Sequence, residues 1–379
     1  LIFNYLVHHC VSKKPIERLW LHSMTPQAIR DGFSRLRPGA EMQGLADAAV
    51  CRSEADWLVG INGTRAMTAF NSKTGGFHLT TVGRVQTPTL ALMVEREDKI
   101  RKFRPRNYLE VEANFTCVAG EYRGKWFDEQ FKGKEDDEHA RADRLWDEAH
   151  AQALQEKCQG KPGQVTEESK PSSQLSPLLY DLTSLQREAN SRFGFSAKST
   201  LGLAQALYEK HKVLTYPRTD ARALPEDYLP TVRNTLTMLT GEGVGKGHDE
   251  GLIARYSPFA HQILARHWVV PNKRIFNNTK ISDHFAIIPT LQAPKHLSEP
   301  EQKLYDLVVK RFLAVFYPAA EYLLTTRITR VESEPFKTEG KVLVNPGWLA
   351  VYGREGQEGD EGNLVVVKAN ASVKADEVQ

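Results

Sequence analysis

The sequence predicts an α+β protein made of several domains. Its 379 residues correspond to roughly two or three domains of about 150 residues each. The stretch 108–118 alternates between apolar and polar residues, as a strand does, and strand-like stretches return within 320–350. Between them, residues 182–209 carry apolar side chains at helical spacing. We therefore expect a helical part inserted between two strand-bearing parts, 101–170 and 320–350.

Composition and charge are those of an ordinary folded protein. Apolar residues make up 41% and charged residues 26% of the sequence, which excludes a disordered tail or a collagen-like chain. The formal net charge is +3, from 50 basic and 47 acidic residues. This balance disfavours histone-like binding, so any nucleic-acid site has to be a local groove. No stretch approaches the roughly 20 apolar residues of a membrane span, so no membrane partner is expected.

The four cysteines lie far apart, at Cys10, Cys51, Cys117 and Cys158. None forms a C-x-x-C pair, which argues against a zinc ribbon and a disulfide framework and favours a reducing, cytoplasmic compartment. The chain begins L-I-F-N-Y-L, without Met and with apolar residues already at helical spacing. A start inside an apparent helix is expected of a fragment of a longer protein. A signal peptide is a poor alternative, because the stretch has no basic n-region and no small-residue cleavage site.

The first hundred residues predict mainly helices. The dipeptide T-P at 25–26 supplies an N-cap and a proline at the first helical position. A longer helix is expected over about 42–69, where Arg52 stands four residues before Asp56, the spacing of an intrahelical ion pair. The block G-R-V-Q-T-P-T-L at 83–90 is expected to lead into a further helix.

The stretch 108–118 predicts a half-buried strand. Leu109, Val111, Ala113, Phe115 and Cys117 are expected on one face and polar residues on the other. Further along, the polar stretch 169–177, rich in Ser and Pro, predicts a linker and a domain boundary.

Beyond that stretch the helical signals are strong. Leu182–Phe193 is expected to form a helix closed by Gly194, and Ser196 is expected to cap the next helix. A short strand at 213–216 then completes the outline of a winged-helix unit. A capping box at 298–301 predicts the start of another helix.

The run T-Y-P-R-T-D at 215–220 holds the most informative candidate site. A tyrosine hydroxyl, with an ordinary pKa of about 10, is a weak nucleophile unless a cation stabilises the phenolate and the charge that develops on a phosphodiester. Arg218 leaves an extended backbone on the same face as Tyr216, and Pro217 stiffens the pair. A bare Y-P-R tripeptide also fits a strand-end turn with a packed tyrosine and a salt-bridging arginine.

Two further stretches carry candidate residues. His284, in S-D-H-F-A-I-I-P-T at 282–290, precedes an apolar run and could bind phosphate or handle protons, or it could be a structural histidine. Arg84 and Gln86 could contact a nucleic-acid backbone or base edges, and a glycine turn before a helix explains them equally well. Arg52 and Arg65 could add phosphate contacts or form a solvated helix face.

Sequence spacing argues against several alternative classes of site. The glycines at 241–247 follow a helix and lack the Lys-Ser/Thr of a P-loop, so this segment is interpreted as a mobile loop. The sequence contains no H-x-x-R, which argues against a tyrosine recombinase. It contains no H-x-H, which argues against a relaxase with a two-histidine metal site.

Taken together, the motifs resemble those of type IA DNA topoisomerases, in the form of bacterial topoisomerase III. The blocks that carry the resemblance are A-D-W-L-V-G-x-N at 55–62, G-R-V-Q-T-P-T-L at 83–90, L-Y-D-L-T-S-L-Q-R-E-A-N at 179–190, Q-x-L-Y-E at 205–209, T-Y-P-R-T-D at 215–220 and S-D-H-x-A-I-I-P-T at 282–290. They span nearly the whole chain in the order that the family shows.

The resemblance implies an ATP-independent enzyme that cuts one DNA strand, passes a strand and religates, relaxing negative supercoils or decatenating. Tyr216 would be the nucleophile that forms a 5′-phosphotyrosine. Arg218 would stabilise the scissile phosphate, and His284 would hold that phosphate and handle protons.

The resemblance also implies the residues and partners of DNA binding. Arg84 and Gln86 would line the groove for single-stranded or underwound DNA, the helix with Arg52 and Arg65 would form its wall, and Gln186 is a further expected DNA-binding residue. The expected protein is monomeric, bacterial and cytoplasmic, at the nucleoid or on a plasmid.

The implied fold is a torus with its Toprim domain mostly missing. The expected parts are the end of the Toprim domain at 1–38, the first part of the groove domain at 39–100, the arch at 101–173 and 297–352, the winged-helix-like domain with the tyrosine at 174–296, and the start of the return to the groove domain at 353–379.

The expected cofactor is Mg²⁺ in the full-length parent, with no ATP and with no zinc in this fragment. The family's acidic metal-binding cluster is expected to precede Leu1, so no metal ligands are predicted in this chain, and the fragment alone is expected to be inactive. Phe285 stands where topoisomerase III often has a second histidine, and Ala221 where a small polar residue is usual.

Two other functions stay open. A non-catalytic remnant that binds single-stranded DNA would keep the groove and the arch without the metal site. A winged-helix regulator of duplex DNA would need a strongly basic recognition helix, whereas the helix after Ser196 offers only Lys198.

Overall fold

The computed structural model describes residues 2–21, 25–117, 120–133, 137, 139–356 and 372–379. The chain divides into two compact units, Leu1–Arg106 and Asn107–Gln379. Among the described residues, no helix is both long enough and apolar enough to span a membrane.

The first unit is built mainly from helices. Its elements in chain order are α1 (Ile2–His9), β1 (Glu17–Arg18), α2 (Pro26–Phe33), β2 (Arg37–Pro38), a 3₁₀ turn (Gly39–Met42), α3 (Gln43–Asn71) and α4 (Gln86–Lys102). The predicted cap of α2 is confirmed, because the Thr25 hydroxyl accepts a hydrogen bond from the Ala28 amide at 3.2 Å. The strands β1 and β2 pair antiparallel.

The segment between α3 and α4 runs back along α3. The amides of Thr80 and Val82 donate to the hydroxyls of Thr68 and Thr64, each at 3.0 Å. Gly63 permits this approach, since a Cβ built there would lie 2.7 Å from the Val82 side chain. Backbone hydrogen bonding to threonines therefore fixes the path that leads to Arg84.

The strands of the second unit form a closed antiparallel barrel in the order β3-β4-β7-β6-β5-β8. The elements are β3 (Glu112–Cys117), β4 (Gly120–Trp126), α5 (Glu148–Cys158), β5 (Pro162–Gln174), β6 (Ala320–Val331), β7 (Glu334–Asn345) and β8 (Ser372–Val378). Val111, Ala113 and Phe115 are buried in the barrel core, which confirms the predicted alternation. Leu109, expected on the same face, precedes the strand and is exposed.

The predicted linker at 169–177 is wrong over most of its length. Residues up to Gln174 belong to β5, which pairs with β6 from Gly163 to Gln174. Beyond Gln164, β5 has no partner on its other side among the described residues. A free edge tolerates a residue without an amide hydrogen such as Pro171, so a Ser/Pro-rich composition does not prevent a strand here.

Two predicted domain limits also differ from the structure. Residues 353–379 were expected to return to the groove domain, but β8 pairs with β3 and β5 and closes the barrel; residues 357–371 lie outside the described residues. Helix α10 (Glu299–Ala314) was expected in the arch, but its buried side chains belong to the mainly helical core of this unit, which Ala320 and Tyr322 at the start of β6 also join.

The helical core of the second unit supports the candidate site. Besides α10 it comprises α6 (Leu182–Phe193), α7 (Ala197–Glu209), α8 (Leu229–Thr240) and α9 (Glu250–Ala265), with 3₁₀ turns at Glu226–Tyr228, Asn278–Lys280 and Gly347–Gly356. The predicted bounds of α6 are confirmed, and Gly194 closes it with a φ of 69°. Ser196 caps α7 and Ser298 forms the predicted capping box with Glu301.

Candidate active site

The segments that hold Tyr216 and His284 lie side by side in the second unit. The amide of Thr215 donates to the carbonyl of Ile288, and the amide of Thr290 to that of Val213, each at 3.0 Å. These bonds flank a single β-bridge between Leu214 and Pro289. The short strand predicted at 213–216 is thus reduced to one bridge, yet this bridge brings two distant motifs together.

The rings of Tyr216 and His284 pack against each other. Their centroids are 4.3 Å apart at an interplanar angle of 47°. The ring of Tyr208, on α7, also packs edge-on against Tyr216, with ring centroids 5.4 Å apart and an interplanar angle of 76°. Tyr216 is half-buried and His284 is exposed. The phenol is therefore restrained by two neighbouring rings, while an imidazole with access to solvent lies against it.

Two threonine hydroxyls fix the backbone on either side of this ring pair. Thr215 donates its hydroxyl to the carbonyl of Ala286 at 3.1 Å and accepts the amide of Ile288 at 2.9 Å. Thr219 donates to the carbonyl of His284 at 2.8 Å and accepts the amide of Ala221 at 3.1 Å. Since three of these four bonds cross between the two segments, the spacing of Tyr216 and His284 is set by the backbone as well as by the rings.

Arg218 offers a positive charge that no described residue neutralises. Its side chain is exposed, whereas Pro217 and Thr219 on either side are buried. No hydrogen bond or ion pair joins Arg218 to another described residue. The nearby Asp220 accepts a hydrogen bond from the Ser282 hydroxyl at 3.0 Å, which ties the ends of the two segments together. The guanidinium of Arg218 is therefore available to an anion from outside the chain.

A buried arginine, Arg311, holds the segment that pairs with Ile287. Tyr180 pairs with Ile287 in a β-bridge, and the guanidinium of Arg311, on α10, lies 4.2 Å from the Tyr180 ring. Arg311 also forms an ion pair with Glu188 and donates to the Leu178 carbonyl at 3.0 Å. Burial acts to lower the pKa of Arg311, but the neighbouring phenols and Glu188 outweigh it and raise the pKa. The arginine is thus a permanent positive charge that holds the segment before α6.

The arrangement combines a hydroxyl nucleophile, an imidazole and a free guanidinium. Such a set suits attack on a phosphodiester, because the developing negative charge can be stabilised by Arg218 and a proton can be handled beside Tyr216. The predicted site residues Tyr216 and His284 are in contact, and Arg218 lies two residues further along the same segment.

The predicted DNA-binding residues Arg84 and Gln86 belong to the first unit. Arg84 forms a two-pronged ion pair with Asp56 on α3, with N–O distances of 3.0 and 3.4 Å. The expected intrahelical pair between Arg52 and Asp56 is therefore not formed, because Asp56 pairs with Arg84. Gln86 is exposed at the first position of α4, so the block has the turn before a helix that the sequence analysis considered.

The remaining predicted DNA-binding residues lie on helices. Arg52 and Arg65 are exposed on α3 and make no ion pair with another described residue. Gln186 donates its side-chain amide to the carbonyl of Ala197 at 3.0 Å, which joins α6 to the start of α7. This contact gives Gln186 a structural role, and its role in DNA binding stays a prediction.

The described residues contain no ready metal site. Nowhere among them do three or more His, Cys, Asp or Glu side chains cluster as ligands of one ion. The described residues therefore do not by themselves fit a bound Mg²⁺.

Three residues near the site were not predicted to act there. Tyr208 belongs to the Q-x-L-Y-E block at 205–209, but only the fold shows that α7 brings its ring to Tyr216. Thr215 and Thr219 flank Tyr216 and Arg218 in the sequence, and the alternation T-Y-P-R-T was the available signal for their anchoring role.

A sequence model of the DNA topoisomerase family matches residues 40–379. The chain belongs to this family. It is 40% identical over 364 residues to the DNA topoisomerase 3 of Bacillus cereus, covering 95% of this chain and 46% of that protein. It is also 40% identical over 357 residues to the DNA topoisomerase 3 of Bacillus subtilis, covering 93% and 45% respectively. The topoisomerase chain thus spans somewhat less than half the length of these curated relatives.

A solved structure agrees with the predicted fold class. Full-length topoisomerase I from Thermotoga maritima superposes with a TM-score of 0.60, covering 96% of this chain and 54% of the other, at 21% sequence identity. At this identity the likeness concerns the fold alone. The expected α+β topoisomerase fold of type IA is confirmed.

Proposed function

We propose that this chain carries the strand-cutting residues of an ATP-independent type IA DNA topoisomerase. The Tyr216 Oη attacks the phosphorus of a phosphodiester in single-stranded or underwound DNA. The 3′ oxygen of the preceding nucleotide leaves and takes up a proton, and the 5′ phosphate stays joined to the tyrosine. Attack by the same 3′ hydroxyl later restores the phosphodiester and the free phenol. Because the phosphotyrosine keeps the energy of the broken bond, the cycle needs no ATP.

The observation that carries the proposal is the contact between the Tyr216 and His284 rings at 4.3 Å. This contact joins the proposed nucleophile to a residue from a distant motif. Both motifs, at 215–220 and 282–290, are among those that resemble type IA topoisomerases. His284 holds the phosphate and handles the proton beside the phenol. Arg218, which lacks a partner among the described residues, stabilises the charge on the phosphate.

The groove that delivers the strand is proposed to include Arg84 and Gln86, with Arg52 and Arg65 on its wall. Arg84 is pre-positioned by Asp56, since a bidentate ion pair fixes the guanidinium while leaving it partly exposed. The proposed setting is bacterial, with DNA of the nucleoid or of a plasmid as the partner and a monomer as the acting form.

The test is a covalent adduct that survives denaturation. The chain, expressed with whatever coding sequence flanks it, is mixed with 5′- or 3′-labelled single-stranded DNA and quenched in detergent. We expect an adduct that carries the 3′-labelled part. Tyr216→Phe is expected to abolish it, while the matched variant Tyr208→Phe, which removes a neighbouring phenol without removing the ring, is expected to retain it.

Two outcomes would decide against the proposal. An undiminished adduct in Tyr216→Phe would assign the chemistry to another residue. The absence of any adduct from the wild type, with single-stranded DNA still bound, would favour the non-catalytic binding protein.

A further inference from the structure

Three arginines hold the segment between β5 and α6, residues 175–181, which we call the connector. Each of them donates a hydrogen bond to a backbone carbonyl within residues 176–179. The three are Arg311, Arg222 and Arg274. They come from distant parts of the chain, so the connector brings three guanidinium groups into one region of the second unit.

The charges of these arginines are not balanced in the same way. Arg311 is buried and forms an ion pair with Glu188. Arg222 and Arg274 are half-buried, and no carboxylate of the described residues forms an ion pair with either. A buried arginine that only holds a segment is thus neutralised here, whereas the two arginines with access to solvent keep their charge.

Arg222 and Arg274 are neighbours in space. The segments that carry them are joined by a parallel β-bridge between Leu224 and Phe276, and the amide of Leu224 donates to the carbonyl of Ile275 at 2.7 Å. Burial and, next to it, the positive charge of Arg222 lower the pKa of Arg274. Both side chains stay protonated at neutral pH, since arginine keeps its proton in proteins. Two like charges therefore lie side by side.

Each of these two guanidinium groups has further donors that face solvent. Arg222 uses its Nε and Arg274 one terminal nitrogen for the connector carbonyls. None of their other nitrogens is buried without a partner, so the two remaining nitrogens of each group reach solvent. A pair of guanidinium groups with free N–H donors suits the several acceptor oxygens of a phosphate.

The acidic residues closest in sequence to Arg222 do not occupy these donors. Asp220 accepts a hydrogen bond from the Ser282 hydroxyl at 3.0 Å. Glu226 forms an ion pair with Lys273 at 2.7 Å. The positive charge of Arg222 and Arg274 is therefore available to an anion that is not among the described residues.

Arg222 lies on the same side of its segment as the proposed nucleophile. From Tyr216 to Arg222 the burial alternates: residues 217, 219 and 221 are buried, whereas Arg218 is exposed and Arg222 is half-buried. Side chains that are two or four residues apart on such an extended segment leave it on one side. Tyr216, Arg218 and Arg222 therefore share one side, and the Cα atoms of the two arginines lie up to about 13 Å apart.

We propose that Arg222 and Arg274 together bind a backbone phosphate of the DNA strand that is cut at Tyr216, a short distance along the strand from the scissile phosphate. This inference rests on the proposed function, because the strand reaches the pair along the side that bears Tyr216 and Arg218. A contact to the phosphate carries no sequence information, so it positions any strand for cutting and religation.

The test neutralises one phosphate of the DNA at a time. The cleavage position in a labelled single-stranded oligonucleotide is first mapped with wild-type protein. Binding is then measured by fluorescence anisotropy with Tyr216→Phe protein, which cannot cut, and with oligonucleotides that carry a single uncharged methylphosphonate at successive positions. At one position near the cleavage site we expect the methylphosphonate to weaken binding about tenfold, because a charge-assisted contact is lost.

The contact is assigned by adding a second substitution to the Tyr216→Phe protein. With Arg222→Gln or Arg274→Gln the methylphosphonate at that position is expected to have little further effect. Arg233→Gln is the matched control, since Arg233 also donates to one backbone carbonyl, that of Val269 at 3.2 Å, but has no arginine beside it. This control is expected to keep the tenfold effect.

The outcomes separate this inference from the proposed function. If the wild type forms the Tyr216 adduct but every methylphosphonate acts equally with and without Arg222 and Arg274, the two arginines only hold the connector and the inference is wrong. If the wild type forms no adduct, the proposed function is wrong and the inference fails with it. Should Arg222→Gln fail to fold, Arg222→Lys, which keeps the charge but not the fork of donors, replaces it and is expected to lose part of the effect.

Discussion

Helices α10 and α3 show how differently the two units hold their motifs. Helix α10 buries ten of its 16 residues within the second unit. Helix α3 is 29 residues long, and Thr68 is its one buried residue in the part of the chain that the structure describes. The Tyr216 segment therefore packs on the core of the second unit. The Arg84 segment lies on helices of the first unit whose apolar side chains are largely exposed. The two motifs therefore differ in their support: the Tyr216 segment has a packed core and cross-segment hydrogen bonds, whereas the Arg84 segment is held mainly by hydrogen bonds to α3.

The ion pairs of the two units differ in the same way. Arg311 and Glu188 lie in the helical core, with side chains 8% and 21% exposed. Arg84 and Asp56 are 41% and 51% exposed. Solvent screens the Arg84–Asp56 pair more strongly than the Arg311–Glu188 pair, so the same chemical contact is expected to stabilise the two units by different amounts.

The largest expected contrast is in core packing. Leu304→Ala removes a fully buried side chain of α10 and is expected to lower the free energy of unfolding by about 2–5 kcal/mol. Leu90→Ala, at a 61% exposed position of α4, is expected to change it by less than about 0.5 kcal/mol. Chemical denaturation of both variants measures the difference. An equal loss in Leu90→Ala would mean that the face of α4 is covered in the protein.

The second contrast uses the ion pairs. Glu188→Gln leaves the buried Arg311 without its carboxylate and is expected to cost about 3 kcal/mol. Asp56→Asn, which removes the partner of Arg84, is expected to cost less than about 1 kcal/mol. Urea titration at constant salt gives both values. Equal costs would contradict the difference in burial from which this prediction follows.

The third contrast is between an arginine of the proposed groove and an arginine outside it. Arg84→Ala is expected to weaken binding of single-stranded DNA and to reduce the slope of log K against log salt by about 0.7, the effect of one lost phosphate contact. Arg101→Ala removes the same charge from α4 at a position outside the proposed groove, and it is expected to leave the slope nearly unchanged. Fluorescence anisotropy at several salt concentrations measures both. An unchanged slope in Arg84→Ala would remove this residue from the proposed groove.

The smallest expected effect concerns pH. Burial acts to raise the pKa of Glu301, but hydrogen bonds from Ser298 and the adjacent His211 outweigh it and lower the pKa below its ordinary value of 4.5. The stabilisation is therefore present above pH 4.5 and is lost as pH falls through the lower pKa of the folded protein. Glu301→Gln is expected to lose this component of acid unfolding. The variant is compared with the wild type; identical acid unfolding of the two would contradict the assignment.

Local signals in the sequence predicted most helices because their causes are local. The caps at Thr25 and Ser196, the closing Gly194 and the capping box at 298–301 depend on residues within one turn, and the structure has all of them. Strand β5 was missed because its partner β6 lies about 150 residues further along the chain, and only that pairing gives a Ser/Pro-rich stretch a strand conformation.

The candidate site was predicted in its residues but not in its contacts. Tyr216, Arg218 and His284 came from motifs, whereas the ring contact, the two threonine anchors and the role of Tyr208 depend on a bridge between distant segments. The expected pair of Arg52 with Asp56 followed helix spacing, but a bidentate contact to Arg84 from outside the helix took its place. Helical spacing alone cannot reveal a partner such as Arg84, which reaches Asp56 from another segment.

The central claim is that Tyr216 is the residue joined to DNA. Its most direct test is to digest the denaturant-resistant adduct with protease and nuclease and to locate the remaining nucleotide by mass spectrometry. The account predicts a nucleotide 5′ phosphate on the peptide that contains Tyr216, at that tyrosine. A nucleotide on Tyr208 or on any other residue, with Tyr216 unmodified, would contradict it.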